Sequence, residues 1–240
     1  MKGSLLYEGK AKKVYHVEGK PEQLVLSYKN DATAFNGKKK DQFEGKGRLN
    51  NLITSRIFEH LHQQHIPSHF LKALNDNEQL VQKTTIIPLE VVVRNIAAGS
   101  LTRRLAIQEK TVLQPPIIEL FYKNDDLDDP LINDDHAKRL ANVTEHDLDK
   151  IKILALKINE ILKRLFKQTD LELVDFKLEF GRLNDGTIVL ADEISPDTCR
   201  LWDAATGEKM DKDVFREDIG DLIATYETIL QRLEESICAK

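Results

Sequence analysis

The chain has 240 residues, of which 41% are hydrophobic and 31% charged, and its formal net charge is −5. This composition is typical of a globular protein that buries a sizeable core, and the acidic balance favours neither nucleic acid nor an anionic membrane as a partner. The N-terminus lacks the apolar stretch of a signal peptide and no run is long enough to span a membrane, so we expect a cytoplasmic protein.

The first 87 residues are predicted to form mainly antiparallel strands, interrupted by one helix. Short apolar runs bounded by turn formers predict strands over residues 5–8, 14–17, 23–28, 69–74 and 79–87. Apolar residues at helical spacing predict the helix over residues 48–62. We expect this part to form a lobe that covers a nucleotide.

A glycine and two lysines lie at the predicted tip between the first two strands. Gly9 lets the backbone approach a ligand closely, and Lys10 and Lys12 carry mobile positive charges that suit phosphate oxygens. The chain has neither a Walker A loop nor a Rossmann fingerprint, so this tip is the candidate phosphate contact. A solvated, lysine-rich hairpin tip is the alternative.

The strand predicted over residues 89–95 turns Leu89, Val91 and Val93 to one face. Glu90, Val92 and Arg94 lie on the other face. Ser100 follows as the predicted N-cap of a short helix that runs through residue 107. A guanidinium, a hydroxyl and free helix N–H groups together favour a second anion site, separate from the nucleotide. A surface arginine beside a plain helix cap is equally compatible with the spacing.

A long excursion and a long helix come next. Residues 114–142 are rich in Pro, Asp and Asn, which predicts a partly irregular segment that is either functional or disordered. Thr144 and Asp147 resemble a capping box for a helix over residues 145–167. The apolar stripe of this helix indicates a role in the core rather than in chemistry.

The segment 171–192 carries the most informative pattern in the chain. Its first part alternates as a strand that turns apolar residues one way and Asp175, Lys177 and Glu179 the other. This pattern predicts a core face behind an active face. The alternative is a charged face that is merely solvated, as in many antiparallel hairpins.

A predicted hairpin brings a further carboxylate to the same face. If Asp185 and Gly186 are the two loop residues, Glu179 pairs with Asp192. Two carboxylates roughly 5 Å apart repel unless a positive charge lies between them, and Mg²⁺ prefers such hard oxygen ligands. The pattern therefore predicts a metal-nucleotide site, although a one-residue shift of the loop at each end would pair Lys177 with Asp192 instead.

The residues after this hairpin are predicted to form a polar loop over residues 193–203, which ends the strand at Pro196. The loop delivers Ser195, Asp197 and Arg200 to the mouth of the cleft, where Arg200 can join Arg94 on a phosphate. No histidine is an obvious base for Cys199, so we predict no thiol catalysis. A last helix is predicted from about residue 214 to 237.

These elements predict an α+β fold with two lobes: an antiparallel N-terminal lobe over residues 1–87 and a larger mixed lobe over residues 88–240. The larger lobe carries the metal and anion sites, and a nucleotide fits the cleft between the lobes.

Four motifs resemble one known family. They are residues 7–12 (YEGKAK), residues 88–95 (PLEVVVRN) with 98–100 (AGS), residues 175–181 (DFKLEFG), and residues 192–197 (DEISPD) with 200–203 (RLWD). In this order and spacing they resemble the phosphoribosylaminoimidazole-succinocarboxamide synthase, or SAICAR synthetase, family from residue 6 to about 233.

The resemblance implies an ATP-dependent ligase of de novo purine biosynthesis. Members join L-aspartate to the carboxylate of 5-amino-1-(5-phosphoribosyl)imidazole-4-carboxylate, called here carboxyaminoimidazole ribonucleotide, and give SAICAR, ADP and phosphate. The resemblance also implies a two-lobed fold related to ATP-grasp enzymes, ATP and Mg²⁺ as cofactors, and a homodimer.

The resemblance assigns roles to residues of this chain. ATP would be bound by Lys10, Lys12, Lys83 and Lys123, with Glu179 and Asp192 holding Mg²⁺. The substrates would be bound by Arg94, Ser100, Asp129, Asp175, Ser195 and Arg200. The catalytic set would be Lys12, Asp175 and Lys177.

Two other functions fit parts of the pattern. A small-molecule kinase would use the same lysines and carboxylates, and the second anion site favours a phosphorylated co-substrate without excluding it. A nucleotide-binding module without catalysis would lack a metal ligand, whereas Glu179 and Asp192 are both present.

Overall fold

The structure is a computed structural model that describes residues 1–34 and 37–238, with only the backbone of residues 237 and 238. Its N-terminal strands and helix are β1 (Lys2–Glu8), β2 (Lys12–Val17), β3 (Gln23–Tyr28), β4 (Asp31–Ala34), β5 (Lys39–Gln42), α1 (Lys46–Gln63), β6 (Phe70–Asn75) and β7 (Glu78–Gln82). Among the described residues they form an antiparallel sheet in the order β1-β2-β3-β7-β6 and a separate β4–β5 hairpin. That hairpin was not predicted from the sequence.

The C-terminal elements build a second antiparallel sheet. They are β8 (Thr85–Ile96), α2 (Ser100–Leu105), β9 (Val112–Tyr122), a 3₁₀ turn (Asp125–Leu127), β10 (Leu131–Ile132), α3 (Asp134–Leu140), α4 (Glu145–Lys167), β11 (Leu171–Arg182), β12 (Ile188–Ala191), β13 (Cys199–Asp203), α5 (Asp213–Arg216) and α6 (Leu222–Cys238). The strand order is β10-β9-β8-β11-β12, and β13 also pairs with β11. The mixed architecture with antiparallel sheets is the predicted fold class.

The core lies behind β11, as the alternation predicted. The side chains of Val174, Phe176 and Leu178 are fully buried, and Phe180 is 1% exposed. Burying each such side chain contributes roughly 1.5–3 kcal/mol. Helix α4 packs its apolar stripe against β11, and its predicted capping box is present. Strand β11 is therefore the rigid element from which the charged face projects.

Helix α1 joins the two sheets in one core. Its Leu49 and Ile53 belong to the same buried cluster as Phe70 of β6 and Leu178 of β11. The Thr54 hydroxyl donates to the carbonyl of Ile194 over 3.1 Å. The chain leaves the N-terminal sheet after β7 and enters the C-terminal sheet with β8 at Thr85, near the lobe boundary predicted at residue 87. A division into lobes at residue 87 stays a prediction.

The predicted hairpin register is wrong by one residue. Glu179 pairs with Ala191 rather than with Asp192. The loop has three residues between Leu183 and Thr187, whose N–H and carbonyl are 2.9 Å apart, and Gly186 takes a left-handed φ of 85°. A three-residue loop with a left-handed third residue is a common hairpin connection, and it moves every pair by one.

Several predicted boundaries also differ. The strand predicted over residues 79–87 ends at Gln82. Strand β8 runs through Pro88, which has no N–H to donate, and the pairing of β8 with β11 shifts its register at this point. Gly99 caps α2, not Ser100, and α2 ends at Leu105. The polar loop over residues 193–203 contains β13, and the excursion over residues 114–142 contains the long strand β9.

The last predicted helix is two helices. Helix α5 ends at Arg216, and the Asp221 side chain accepts backbone N–H groups of Ile223 and Ala224 at the start of α6. This side-chain cap explains why α6 begins where it does. Among the described residues, no helix has both the length and the apolar character that crossing a membrane requires.

Candidate active site

Two cavities meet along the polar face of β8 and β11. The arginine cavity, of about 380 Å³, is lined by Arg94, Ser100, Asp175 and Arg200 among others. The lysine cavity, of about 410 Å³, is lined by Lys12, Lys123, Glu179 and Asp192 among others. Both cavities are lined by Lys10, Thr33, Glu90, Lys177, Asp197 and Thr198, which we call the junction. Two ligands in these cavities would therefore touch at the junction.

Lys12 enters the lysine cavity from the tip of the β1–β2 hairpin, where the Gly9 N–H donates to the Lys12 carbonyl over 2.8 Å. Its ammonium pairs with Asp192 and lies 3.5 Å from Oε2 of Glu193. Burial disfavours the charge on Lys12, but Asp192 and Glu193 outweigh it and raise the pKa of Lys12. The tip thus holds a permanently charged lysine in the cavity, and its contact with a phosphate stays a prediction.

Asp192 follows the last residue of β12 and adopts a left-handed φ of 61°. This turn brings its side chain to the charged face despite the changed register, with Oδ2 4.0 Å from Nζ of Lys177. Burial opposes ionisation, but the charges of Lys12, Lys177 and Lys123 lower the pKa of Asp192. The carboxylate is held ionised at neutral pH.

Lys177 lies among three carboxylates at the junction. Its ammonium is 2.9 Å from Oε1 of Glu90 and 2.8 Å from Oε1 of Glu179, besides its contact with Asp192. Burial disfavours the charge, but Glu179, Glu90 and Asp192 raise the pKa of Lys177. The positive charge that the sequence required between Glu179 and Asp192 is supplied here by a lysine.

The excursion over residues 114–142 brings further charges to the lysine cavity. Lys123 pairs with the other oxygen of Glu179, and Asp125 accepts from Lys10 over 2.7 Å. Asp129 lines the cavity and accepts the Asn124 N–H over 2.8 Å, so it also shapes the turn that carries these residues.

The opposite wall of the lysine cavity is apolar. The N-terminal sheet contributes Val14, Leu24, Leu26 and Val81. A cavity with one apolar wall and one strongly charged end suits a ligand that has a planar ring at one end and phosphates at the other. Alternation in β2, β3 and β7 could have predicted this wall from the sequence.

Arg94 is the buried anchor of the arginine cavity. Its Nε donates to Oε2 of Glu119 over 2.6 Å, one Nη to Oδ2 of Asp175 over 2.7 Å, and the other to the Ser100 hydroxyl over 3.1 Å. The arginine and hydroxyl predicted to form an anion site are therefore in contact.

Arg200 reaches the same cavity from β13. One Nη donates to both oxygens of Asp175, at 3.1 and 3.0 Å, and Nε donates to Oδ2 of Asp213 over 2.8 Å. Its guanidinium lies against Gly99, where a β-carbon would come within 2.6 Å of it. Arg94, Asp175 and Arg200 thus form one connected wall, which with Ser100 brings together four of the six predicted substrate-binding residues. Asp129 lines the lysine cavity instead.

Asp197 at the junction is held from behind by buried partners. Lys46, which has no exposed surface, lies 2.5 Å from Oδ2 of Asp197, and the Tyr226 hydroxyl donates to Oδ1 over 2.6 Å. Lys212 is 3.5 Å away. Burial opposes ionisation, but the charges of Lys212 and Lys46 lower the pKa of Asp197.

Two predicted ligands lie elsewhere. The Lys83 side chain is exposed beyond β7, and its neighbours Gln82 and Thr84 line the lysine cavity instead. Ser195 is 1% exposed, and its hydroxyl accepts the Asp197 N–H over 3.1 Å, so it shapes the loop that presents Asp197. Neither residue is among those that line the two cavities.

Several residues of the site were missed from the sequence. They are Lys46, Glu119, Glu193, Lys212 and Asp213. Lys46 and Glu119 lie far along the chain from their partners, so no local pattern marks them. Burial raises the pKa of the Cys199 thiol, which agrees with the prediction of no thiol catalysis.

The chain is similar to known proteins over almost all of its length. A family model described as SAICAR synthetase matches residues 5–233. The phosphoribosylaminoimidazole-succinocarboxamide synthase of Oceanobacillus iheyensis is 62% identical over 234 residues, which cover 98% of this chain and 99% of that protein.

Solved structures give the same result. A SAICAR synthetase in complex with ADP has a TM-score of 0.91 and 51% identity, with 95% of this chain and 96% of that chain covered. The phosphoribosylaminoimidazole-succinocarboxamide synthase of Ehrlichia chaffeensis has a TM-score of 0.94 and 46% identity, with 96% and 98% covered.

Proposed function

The chain belongs to the SAICAR synthetase family, and we propose that it joins L-aspartate to the carboxylate of carboxyaminoimidazole ribonucleotide at the expense of ATP. The chain is an ATP-dependent carbon-nitrogen ligase of purine biosynthesis, as the four sequence motifs predicted. The wider relation to ATP-grasp enzymes, the homodimer and the cytoplasmic location stay predictions.

We assign ATP to the lysine cavity and the ribonucleotide to the arginine cavity. The apolar wall and the lysines of the first suit a base and its phosphates, and the paired guanidinium groups of the second suit a single phosphate. The observation that carries the proposal is the junction, because Lys177 lines both cavities and so lies where the two ligands would meet.

Glu179 and Asp192 are the residues that would hold Mg²⁺. Both offer hard carboxylate oxygens, and one cation of the chain, Lys177, already contacts both. Among the described residues, no three His, Cys, Asp or Glu side chains form a ready metal site, so phosphates and water would complete the shell. Bound there, Mg²⁺ would neutralise charge on the nucleotide phosphates.

The chemistry needs positioning more than it needs a nucleophile of the enzyme. The carboxylate of the ribonucleotide takes the terminal phosphoryl group of ATP, and ADP leaves. The amine of aspartate then attacks the acyl carbon: the new C–N bond forms, the nitrogen loses a proton, the C–O bond to phosphate breaks and phosphate leaves. Lys12 and Lys123 bind the phosphates, and Lys177 stabilises negative charge that develops between the two cavities. Holding the reactants together supplies effective molarities of about 10⁵ M or more.

A small-molecule kinase is the competing function that the same cleft would serve. The second anion site around Arg94 and Arg200 favours the ligase, because it prepares the protein for a phosphorylated co-substrate. The two functions differ in whether ADP release requires an amine.

The test is ADP release by the purified protein with Mg²⁺-ATP, carboxyaminoimidazole ribonucleotide and L-aspartate, each omitted in turn. We expect release only when all three are present, with an equal amount of the succinocarboxamide product. Release without aspartate would instead support the kinase, and absence of release with the full mixture would contradict catalysis of either kind.

A further inference from the structure

Seven charged side chains form one alternating chain around the arginine cavity. In order they are Arg104, Glu119, Arg94, Asp175, Arg200, Asp213 and Arg216. Four guanidinium groups and three carboxylates leave one net positive charge, which suits a phosphate.

Glu119 and Asp213, the two outer carboxylates of this series of ion pairs, make equivalent contacts. Glu119 binds Nε of Arg94 at 2.6 Å, and Asp213 binds Nε of Arg200 at 2.8 Å. Both carboxylates are buried, at 8% and 5% exposure, and neither lines the arginine cavity itself. They lie behind the arginines rather than beside the ligand.

Each outer carboxylate also pairs with a second arginine. Glu119 on β9 accepts from Arg104 of α2 over 2.6 Å, and Asp213 at the start of α5 pairs with Arg216. An arginine held at Nε has its remaining N–H groups directed to the other end of the guanidinium plane. A long flexible side chain that is fixed in this way loses less entropy when it binds an anion.

We propose that Glu119 and Asp213 are positioning residues for the phosphate of the ribonucleotide: by binding Nε of Arg94 and Arg200, they fix the two guanidinium groups that receive it. The inference rests on the proposed function, since it takes the ribonucleotide as the occupant of the arginine cavity. It assigns Glu119 and Asp213 no contact with the reacting atoms.

The test uses Glu119→Gln and Asp213→Asn, each made alone, with binding of the ribonucleotide and of its nucleoside without phosphate measured by calorimetry. We expect each variant to bind the ribonucleotide at least about tenfold more weakly, because a partner of a buried charge pair is lost. The nucleoside lacks the group that the arginines hold, so its affinity should change less than about twofold. KM for ATP and kcat at saturating ribonucleotide should stay close to those of the unaltered protein.

Two controls separate positioning from general damage. Asp147→Asn removes a carboxylate that pairs with Arg182 over 2.8 Å outside both cavities, and it should leave both affinities unchanged. Glu119→Asp keeps the charge and should recover part of the lost ribonucleotide affinity. If Glu119→Gln does not fold, Asp213→Asn tests the same relationship from the other side of the cavity.

Each outcome bears on a different claim. Equal losses for ribonucleotide and nucleoside would show a merely structural role, and unchanged ribonucleotide binding in both variants would overturn the positioning role. If the unaltered protein bound the nucleoside as tightly as the ribonucleotide, the assignment of the arginine cavity would fail, and the positioning role would fail with it.

Discussion

The ammonium of Lys177 lies 2.8 Å from Oε1 of Glu179, two residues further along the same strand. Residues separated by two positions share a face of a strand, so β11 alone brings this pair together, with Lys177 at the junction and Glu179 in the lysine cavity. The same ammonium contacts Glu90 and Asp192 from the neighbouring elements. Lys177 therefore contacts both Glu179 and Asp192, the two carboxylates that would bind a metal ion together with the nucleotide.

Replacing Lys177 by Met should remove catalysis while the nucleotide still binds. We expect kcat to fall by about 10² or more, because charge on the transferred phosphoryl group loses a fixed cation. Calorimetry should show Mg²⁺-ADP binding at least as tight as before, since Glu179 and Asp192 lose a competing cation. Lys138→Met, which removes an exposed pair with Asp135 on α3, is the control and should change neither quantity. A Lys177→Met protein with normal kcat would contradict this role.

Glu179→Gln should weaken the use of Mg²⁺-ATP far more than it weakens folding. Glu179 is 2% exposed and pairs with Lys177 and Lys123, so its loss frees two lysines and removes a proposed metal ligand. We expect KM for Mg²⁺-ATP to rise about tenfold or more. Glu172→Gln, at an exposed position of the same strand, is the matched control. An unfolded variant, or an unchanged KM for Mg²⁺-ATP, would argue against metal binding by Glu179.

The alternation of β11 was readable from the sequence, because strand geometry forces neighbouring side chains to opposite faces. The sequence therefore predicted both the buried apolar face and the charged face with Asp175, Lys177 and Glu179. It also predicted the tip that carries Lys12, since a glycine between two apolar runs marks a turn.

The register of the β11–β12 hairpin could not be predicted from the alternation of side chains. An Asn-Asp-Gly sequence fits a two-residue or a three-residue loop, and the structure has the latter. Asp192 still reaches the charged face through its left-handed backbone, which no strand pattern describes. Lys46 and Glu119 meet their partners only through tertiary packing, 151 and 25 residues away along the chain.

Gly99→Ala should damage the arginine cavity through Arg200. Gly99 combines a φ of 59° with a ψ of −125°, and an added β-carbon would lie 2.6–2.8 Å from guanidinium atoms of Arg200. We expect a loss of about 1–3 kcal/mol in the free energy of unfolding from backbone strain. Ribonucleotide binding should also weaken, because the guanidinium must move.

Gly186→Ala separates strain from steric displacement. Gly186 also has a positive φ, of 85°, but an added β-carbon there meets nothing within 4 Å. Its variant should lose stability in urea unfolding and keep its affinity for the ribonucleotide. Equal affinity losses in the two variants would show that the contact of Gly99 with Arg200 is not the cause.

Asp203 should contribute to acid stability. Hydrogen bonds from the Thr206 N–H and from Arg232 lower the pKa of Asp203 from 3.8 to about 2. Because the folded-state pKa is depressed, the contribution is present above pH 4 and is lost as the pH falls toward 2. Urea unfolding of Asp203→Asn should show a weaker pH dependence between 4 and 2 than that of the unaltered protein. Identical slopes for the two proteins would rule out this contribution.

Lys46→Met should destabilise the protein more than any exposed lysine substitution, because it leaves Asp197 buried beside fewer positive charges. Lys46 has no exposed surface and lies 2.5 Å from Asp197, while Lys212 is 3.5 Å away. Breaking a buried pair by removing one partner costs about 3–5 kcal/mol.

The double variant Lys46→Met with Asp197→Asn should be more stable than Lys46→Met alone, since the uncompensated carboxylate is then absent. It should nevertheless be inactive, because Asp197 lines both cavities. Urea unfolding of the two single variants and the double variant gives the coupling energy directly. Additive losses would mean that Lys46 stabilises the fold through packing of its aliphatic chain rather than through Asp197.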